Sequence, residues 1–179
     1  MNDLFVKNDQ SAGRVGGCVG LLVCCPNLSL ECVIMNRDGV DEVLAAATCS
    51  LFRWEARGIY REPIAPLPRD HGAVPPVPVQ RVWVVASPPT TEQRDELAHV
   101  DQFRACREDV RMMSGRFALD LDLPDYDWWL VDDQHVVTLS YDRDHVLIGG
   151  DLVTVAAEVD QYRHWRNIAL AHTKAPVGP

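Results

Sequence analysis

Apolar positions along the chain recur at two spacings. From Asp38 to about Cys49, Val40, Val43, Leu44 and Ala47 lie three or four apart, which predicts a short amphipathic helix opening just after Met35. In "LFRWEARGIY", from Leu51, the period changes to two. Phe52, Trp54 and Ala56 alternate with Arg53, Glu55 and Arg57, the pattern of a half-buried strand whose charges line the outer face. "RVWVVA", residues 81 to 86, is a β-branched run that reads as a buried strand. "SPPTTEQRDEL" stops it and starts a helix, with Thr90 and Gln93 at capping-box spacing and Leu97 and Val100 on the inner face. A short strand around "DVRMM" follows, then an irregular link to Pro124.

"LPDYDWWLVDDQHVVTLSYD", residues 123 to 142, holds the densest pattern. Trp128 and Leu130 point to one face and Trp129 and Val131 to the other, so this strand is apolar on both sides and central. Val137, Leu139 and Tyr141 then alternate with Val136, Thr138 and Ser140. Asp132 and Asp133 fall at the turn between, where aspartate bonds backbone amides and tolerates left-handed φ. "YDRDH" makes the next turn, and "VLIGGDLV" a further strand whose Gly149 and Gly150 indicate a bulge or a close backbone approach. Val155 to Thr173 reads as a last helix with Val159, Tyr162, Trp165, Ile168 and Ala169 on one stripe and Thr154 as its N-cap.

Residues 62–80 contain six prolines and predict an extended loop, because proline lacks the N–H donor and fixes φ. Residues 1–34 read as an N-terminal extension, in the manner of an extended translation start. Its apolar run "VGGCVGLLVCC" is too short to span a bilayer. Residues 35–179 then form a single domain. The expected fold is α+β: a mostly antiparallel sheet of about five strands packed with two or three helices, the C-terminal helix docked on the sheet.

Composition narrows the partners. A chain of 179 residues with 47% hydrophobic and 24% charged residues is that of one globular domain. The formal charge is −9 and the pI about 5.0, with no basic stretch, so nucleic acid and anionic membranes are read as excluded. Four of the six cysteines crowd the extension and no C-x-x-C pair exists, which points to reduced thiols in a cytoplasmic protein.

The segments "FRWEAR", "RVWVVASPP", "LPDYDWWLVDDQHVVTLSYD" and "YRHWRNIALAHTKAP" occur in an order that resembles a group of small actinobacterial domains of unknown function, often encoded near helix-turn-helix regulators. The resemblance covers roughly residues 48 to 176. It rests on the Leu-Pro-Asp-x-Asp-aromatic-Trp-Leu segment, the following Tyr-Asp turn and the Tyr-Arg-x-Trp-Arg helix. It implies a compact α+β domain in a regulatory neighbourhood and brings no catalytic residues with it.

The polar residues that stand out are Glu55, Arg57, Arg81, Asp127, Asp133, Tyr141, Arg163 and Arg166. Gathered in one pocket, carboxylates, a tyrosine and guanidinium forks would bind an anionic ligand or support acid/base work. An internal salt-bridge network is the plainer reading of the same residues. The six histidines lack metal-binding spacing, and no glycine-rich phosphate loop, nucleophile elbow or dinucleotide fingerprint is present, so neither metal nor cofactor is expected. The expected function is an accessory ligand-sensing or protein-interaction domain linked to transcriptional regulation, not itself DNA-binding. Its partner would be a small molecule or a regulator protein. The alternative is a small cofactor-free enzyme using carboxylate and tyrosine groups.

Overall fold

The computed structural model describes residues 32–56, 77–98 and 108–173. In these the elements are β1 (Cys32–Asn36), α1 (Arg37–Ala45), β2 (Leu51–Glu55), β3 (Val79–Val85), α2 (Thr91–Leu97), β4 (Glu108–Ser114), α3 (Gly115–Asp120), β5 (Trp128–Val131), β6 (His135–Tyr141), β7 (Leu147–Val153) and α4 (Ala156–Ala171). The strands form one sheet in the order β1-β7-β6-β5-β2-β3-β4. β2, β3 and β4 run parallel, and every other pair is antiparallel. β2 is therefore where the two kinds of pairing meet.

Each sheet face buries its own cluster. Phe52, Trp54, Val82, Trp128, Leu130 and Val136 pack with Ala118 of α3 and Val159, Tyr162 and Ala169 of α4. On the opposite face Leu51, Val79, Trp129, Val131, Val137 and Leu139 meet Val40 and Leu44 of α1, while Trp83 and Val85 pack near Leu97 of α2. The strand β5 is buried on both sides, as its double apolar alternation requires.

Local chemistry closes the elements as the residue types dictate. Thr90 Oγ1 accepts the Gln93 N–H at 3.2 Å and Gln93 Oε1 accepts the Thr90 N–H at 3.2 Å, the two halves of a capping box. Asp132 and Asp133 take φ of 52° and 58°, and the turn closes with Gln134 N–H on the Val131 carbonyl at 2.9 Å. Gly150 lies so close to Thr138 that a Cβ there would collide with its carbonyl oxygen, and the β6–β7 register shifts at Ser140/Tyr141.

The fold departs from expectation in several places. The sheet has seven strands and a parallel half, where about five mostly antiparallel strands were expected. Parallel neighbours need long crossover connections. The β2–β3 crossover contains the proline-rich segment, which carries no helical period and so looked like a mere loop. Residues 57–76, most of that loop, lie outside the described residues. β1 pairs with β7 from Cys32 to Asn36, so a boundary between residues 34 and 35 falls inside a paired strand. The link before Pro124 contains α3, capped by Ser114 Oγ on the Phe117 N–H; six residues are too few to display a period. α4 starts after Val155 with no side-chain cap, so Thr154 does not serve as one.

Candidate functional site

Arg53 and Glu55 are not on a solvated face: each is only 2% exposed. Alternation puts them on the same side as Leu51, and parallel pairing sets Arg53 beside Arg81. Arg81 donates from Nε at 2.6 Å and from Nη2 at 2.5 Å to Glu55 Oε2, and its Nη1 lies 3.8 Å from Glu108. Arg53 Nη2 lies 3.4 Å from Glu55 Oε1. The Arg53 guanidinium sits 5.1 Å from the centre of the Trp129 ring, and that of Arg81 lies 5.7 Å from Trp83. Charges can be buried here because each cation meets a carboxylate and an indole face.

Asp127, fully buried, stands beside the end of β2. Its Oδ1 accepts the Ala56 N–H at 2.8 Å and its Oδ2 accepts the Tyr141 hydroxyl at 2.8 Å. Burial, and then the negative charge of Asp127, push the Tyr141 phenol far above its ordinary value. Tyr141 therefore stays a neutral donor with its proton committed to Asp127. This pair fixes the entry to β5 against the exit from β2.

The remaining candidates gather elsewhere. Arg163 donates to the Asp133 carbonyl, and Arg166 to the Asp133 carboxylate, tying the β5–β6 turn to α4. Asp127 precedes β5 and Asp133 lies in the turn that follows it, with the four strand residues Trp128–Val131 between them, about 13 Å at the usual rise. The expected single pocket is thus two separate networks at opposite ends of β5. Arg57 lies outside the described residues. Arg53, Glu108 and Trp83 were missed, although Arg53 shares a two-residue period with Leu51 and Glu55. Among the described residues, no group of three or more His, Cys, Asp or Glu side chains is placed to hold a metal.

Asp132 has a different task. Its carboxylate accepts N–H groups from Thr48 (2.9 Å), Cys49 (2.7 Å) and Ser50 (2.9 Å), together with the Thr48 hydroxyl (2.9 Å). The backbone bonds, that of Ser50 foremost, hold its pKa well below the usual carboxylate range. A depressed folded-state pKa contributes stability that is present above about pH 4 and is lost as pH falls through the folded value. Asp132→Asn keeps a residue that accepts positive φ but replaces an acceptor oxygen by an N–H₂ facing donors. The expected cost is about 2–3 kcal/mol at pH 7, shrinking as pH drops below 4. Urea melts at pH 7 and pH 3 check both the size and the sign.

The sheet order, the two covered faces and the internally bonded polar groups define a small α+β domain with a mixed seven-stranded sheet. Residues 73–175 match the family described as a domain of unknown function, DUF6879, and the chain belongs to that family. No curated protein matches the chain in sequence. Among solved structures it is similar to NucT from Helicobacter pylori, at 11% identity and a TM-score of 0.56 over 82% of this chain and 99% of that one. It is also similar to Nuc from Salmonella typhimurium, a phospholipase D family member, at 13% identity and a TM-score of 0.57 over 83% of this chain and 100% of the other. TrmBL2, an archaeal chromatin protein described with a novel mode of DNA binding, gives 10% identity and a TM-score of 0.49 over 84% of this chain and 56% of its own.

At these identities the likeness concerns the fold. It corrects two expectations nonetheless. The reading as a non-DNA-binding sensor or interaction domain, with a carboxylate–tyrosine enzyme as its alternative, does not stand, and neither does the exclusion of nucleic acid. The fold is one on which a phospholipase D family member is built. The formal charge of −9 is a sum over the whole chain and does not fix the field at any one place. No helix among the described residues is long and apolar enough to cross a membrane.

Proposed function

We propose that the chain is a nucleic-acid-binding domain that holds phosphodiester-linked strands without cleaving them. The observation that carries this reading is the agreement of fold with Nuc, a member of a family named for action on a phosphodiester, along the whole of that chain. Binding without turnover is supported by the state of the candidate polar groups among the described residues. Both Asp127 oxygens accept hydrogen bonds, Tyr141 holds its proton, and Glu55 is engaged by Arg81. Glu55, Arg81, Asp127 and Tyr141 then serve as a frame that fixes the ends of β2, β3 and β5. Asp133, Arg163 and Arg166 hold the distant turn to α4. A cytoplasmic location and an actinobacterial setting beside helix-turn-helix regulators are part of the same proposal, since either would bring the domain near DNA.

Fluorescence anisotropy with labelled single-stranded and duplex DNA tests it. The expected result is binding that weakens linearly in log Kd against log salt, with a slope corresponding to only a few phosphates because the protein is acidic. A chromogenic phosphodiester should release no product above the buffer rate. Absence of binding at low salt overturns the reading, and strand cleavage overturns the claim that turnover is missing.

A further inference from the structure

A cleft of about 210 Å³ opens at the carboxyl ends of the parallel strands, where open α/β sheets gather their ligands. Ala56 follows β2, Val84 belongs to β3, and Gly115 follows β4. The remaining walls are Ala118 and Leu119 of α3 and the segment Leu123–Pro124, with Asp125 exposed at the mouth. These walls are set firmly. Trp54 Nε1–H donates to the Pro124 carbonyl at 3.0 Å, and the Leu123 N–H donates to the Ala118 carbonyl at 3.0 Å. Leu119 is nevertheless 68% exposed, an apolar side chain left in water at the lip of an apolar cavity.

Resting on the nucleic-acid reading, we propose that this cleft receives one unstacked base of a single strand, its exocyclic amino group donating to the Asp125 carboxylate. The volume lies below the roughly 300–1,000 Å³ of drug-sized sites and suits a single planar heterocycle. Apolar walls replace the stacking that the base loses on leaving its neighbours. An ionised carboxylate only accepts hydrogen bonds, so it favours the amino groups of cytosine, adenine and guanine over thymine, whose single N3–H donor lies between two carbonyl oxygens. Charge also sets the orientation. Asp125 repels phosphate at the mouth, so the base end enters and the backbone stays outside.

Arg116 is placed to meet that backbone. Its side chain is 83% exposed beside Gly115 and is engaged by Asp120 at 3.2 Å in a surface pair of the kind worth little. A strand phosphate replaces Asp120 at small cost. A duplex keeps its bases paired and stacked, so it cannot fill the cleft without extruding one.

The test uses the full chain and labelled oligodeoxycytidine, oligodeoxyadenosine, oligodeoxythymidine and a mixed duplex. The cytidine and adenosine strands should bind roughly tenfold tighter than the thymidine strand. Asp125→Asn, whose amide also donates, should erase that preference. Leu119→Trp, an exposed-side substitution that fills the cleft, should weaken single strands to the level of the duplex. Both variants should keep the wild-type melting temperature, which separates loss of binding from loss of fold. Equal affinity for all three strands, unmoved by either variant, would place the binding elsewhere, leaving the nucleic-acid reading intact and this site refuted. Failure of every oligonucleotide to bind refutes both.

Discussion

Trp128→Ala will cost about 3–5 kcal/mol in urea denaturation, the range for removing a buried tryptophan. The side chain is fully buried in β5, between β6 and β2. Its ring lies 5.2 Å from Phe52 and 5.1 Å edge-on from Tyr162, so it joins the sheet to α4 as well as filling space. Its Nε1–H has no hydrogen-bond partner among the described residues, so Trp128→Phe gives up volume without breaking a bond there. That variant should lose less than half as much. A mild Trp128→Ala would mean that α4 does not pack on this ring.

Arg81→Met is expected to cost about 3–5 kcal/mol, because it takes from Glu55 the two shortest bonds that neutralise it inside the protein. The methionine chain retains much of the packing against Trp83, so the loss isolates the charge. Glu55→Gln combined with Arg81→Met should cost markedly less than the two single losses added together, since the double variant removes both charges of the closest pair and leaves only the longer contacts of Arg53 and Glu108 unmet. Denaturant midpoints of the three variants give the coupling directly. Strict additivity would show that water reaches the cluster and that the burial of Glu55 does not govern its energetics.

Much of the local structure was readable along the chain. The helical spacing of Val40 and Leu44, the double alternation of β5, the Thr90–Gln93 box and the Asp132–Asp133 turn each rest on residues within a few positions of one another. Propensity, capping and turn chemistry act at that range. The approximate fold class followed from them.

The site was less legible, for a reason visible in β2. Alternation states that Leu51, Arg53 and Glu55 share a face, but it does not state what covers that face. Charged residues at alternate positions are solvated on most strands, and here Arg81 and Glu108 from parallel neighbours, with the indoles of Trp129 and Trp83, take the place of water. Asp133, Arg163 and Arg166 looked like companions of Asp127 for the same reason: residue type suggested pairing, while the length of β5 kept the pairs apart.

The sequence by itself determined the periods, the caps and the turns, hence which residues each element could bury. The tertiary structure alone decided that β2, β3 and β4 run parallel, that the charges of β2 are buried, and that Val84, Ala118 and Pro124 meet around a cleft. Strand direction depends on crossovers and cavities on distant walls, so both are set by contacts between segments whose separation along the chain leaves no periodic trace.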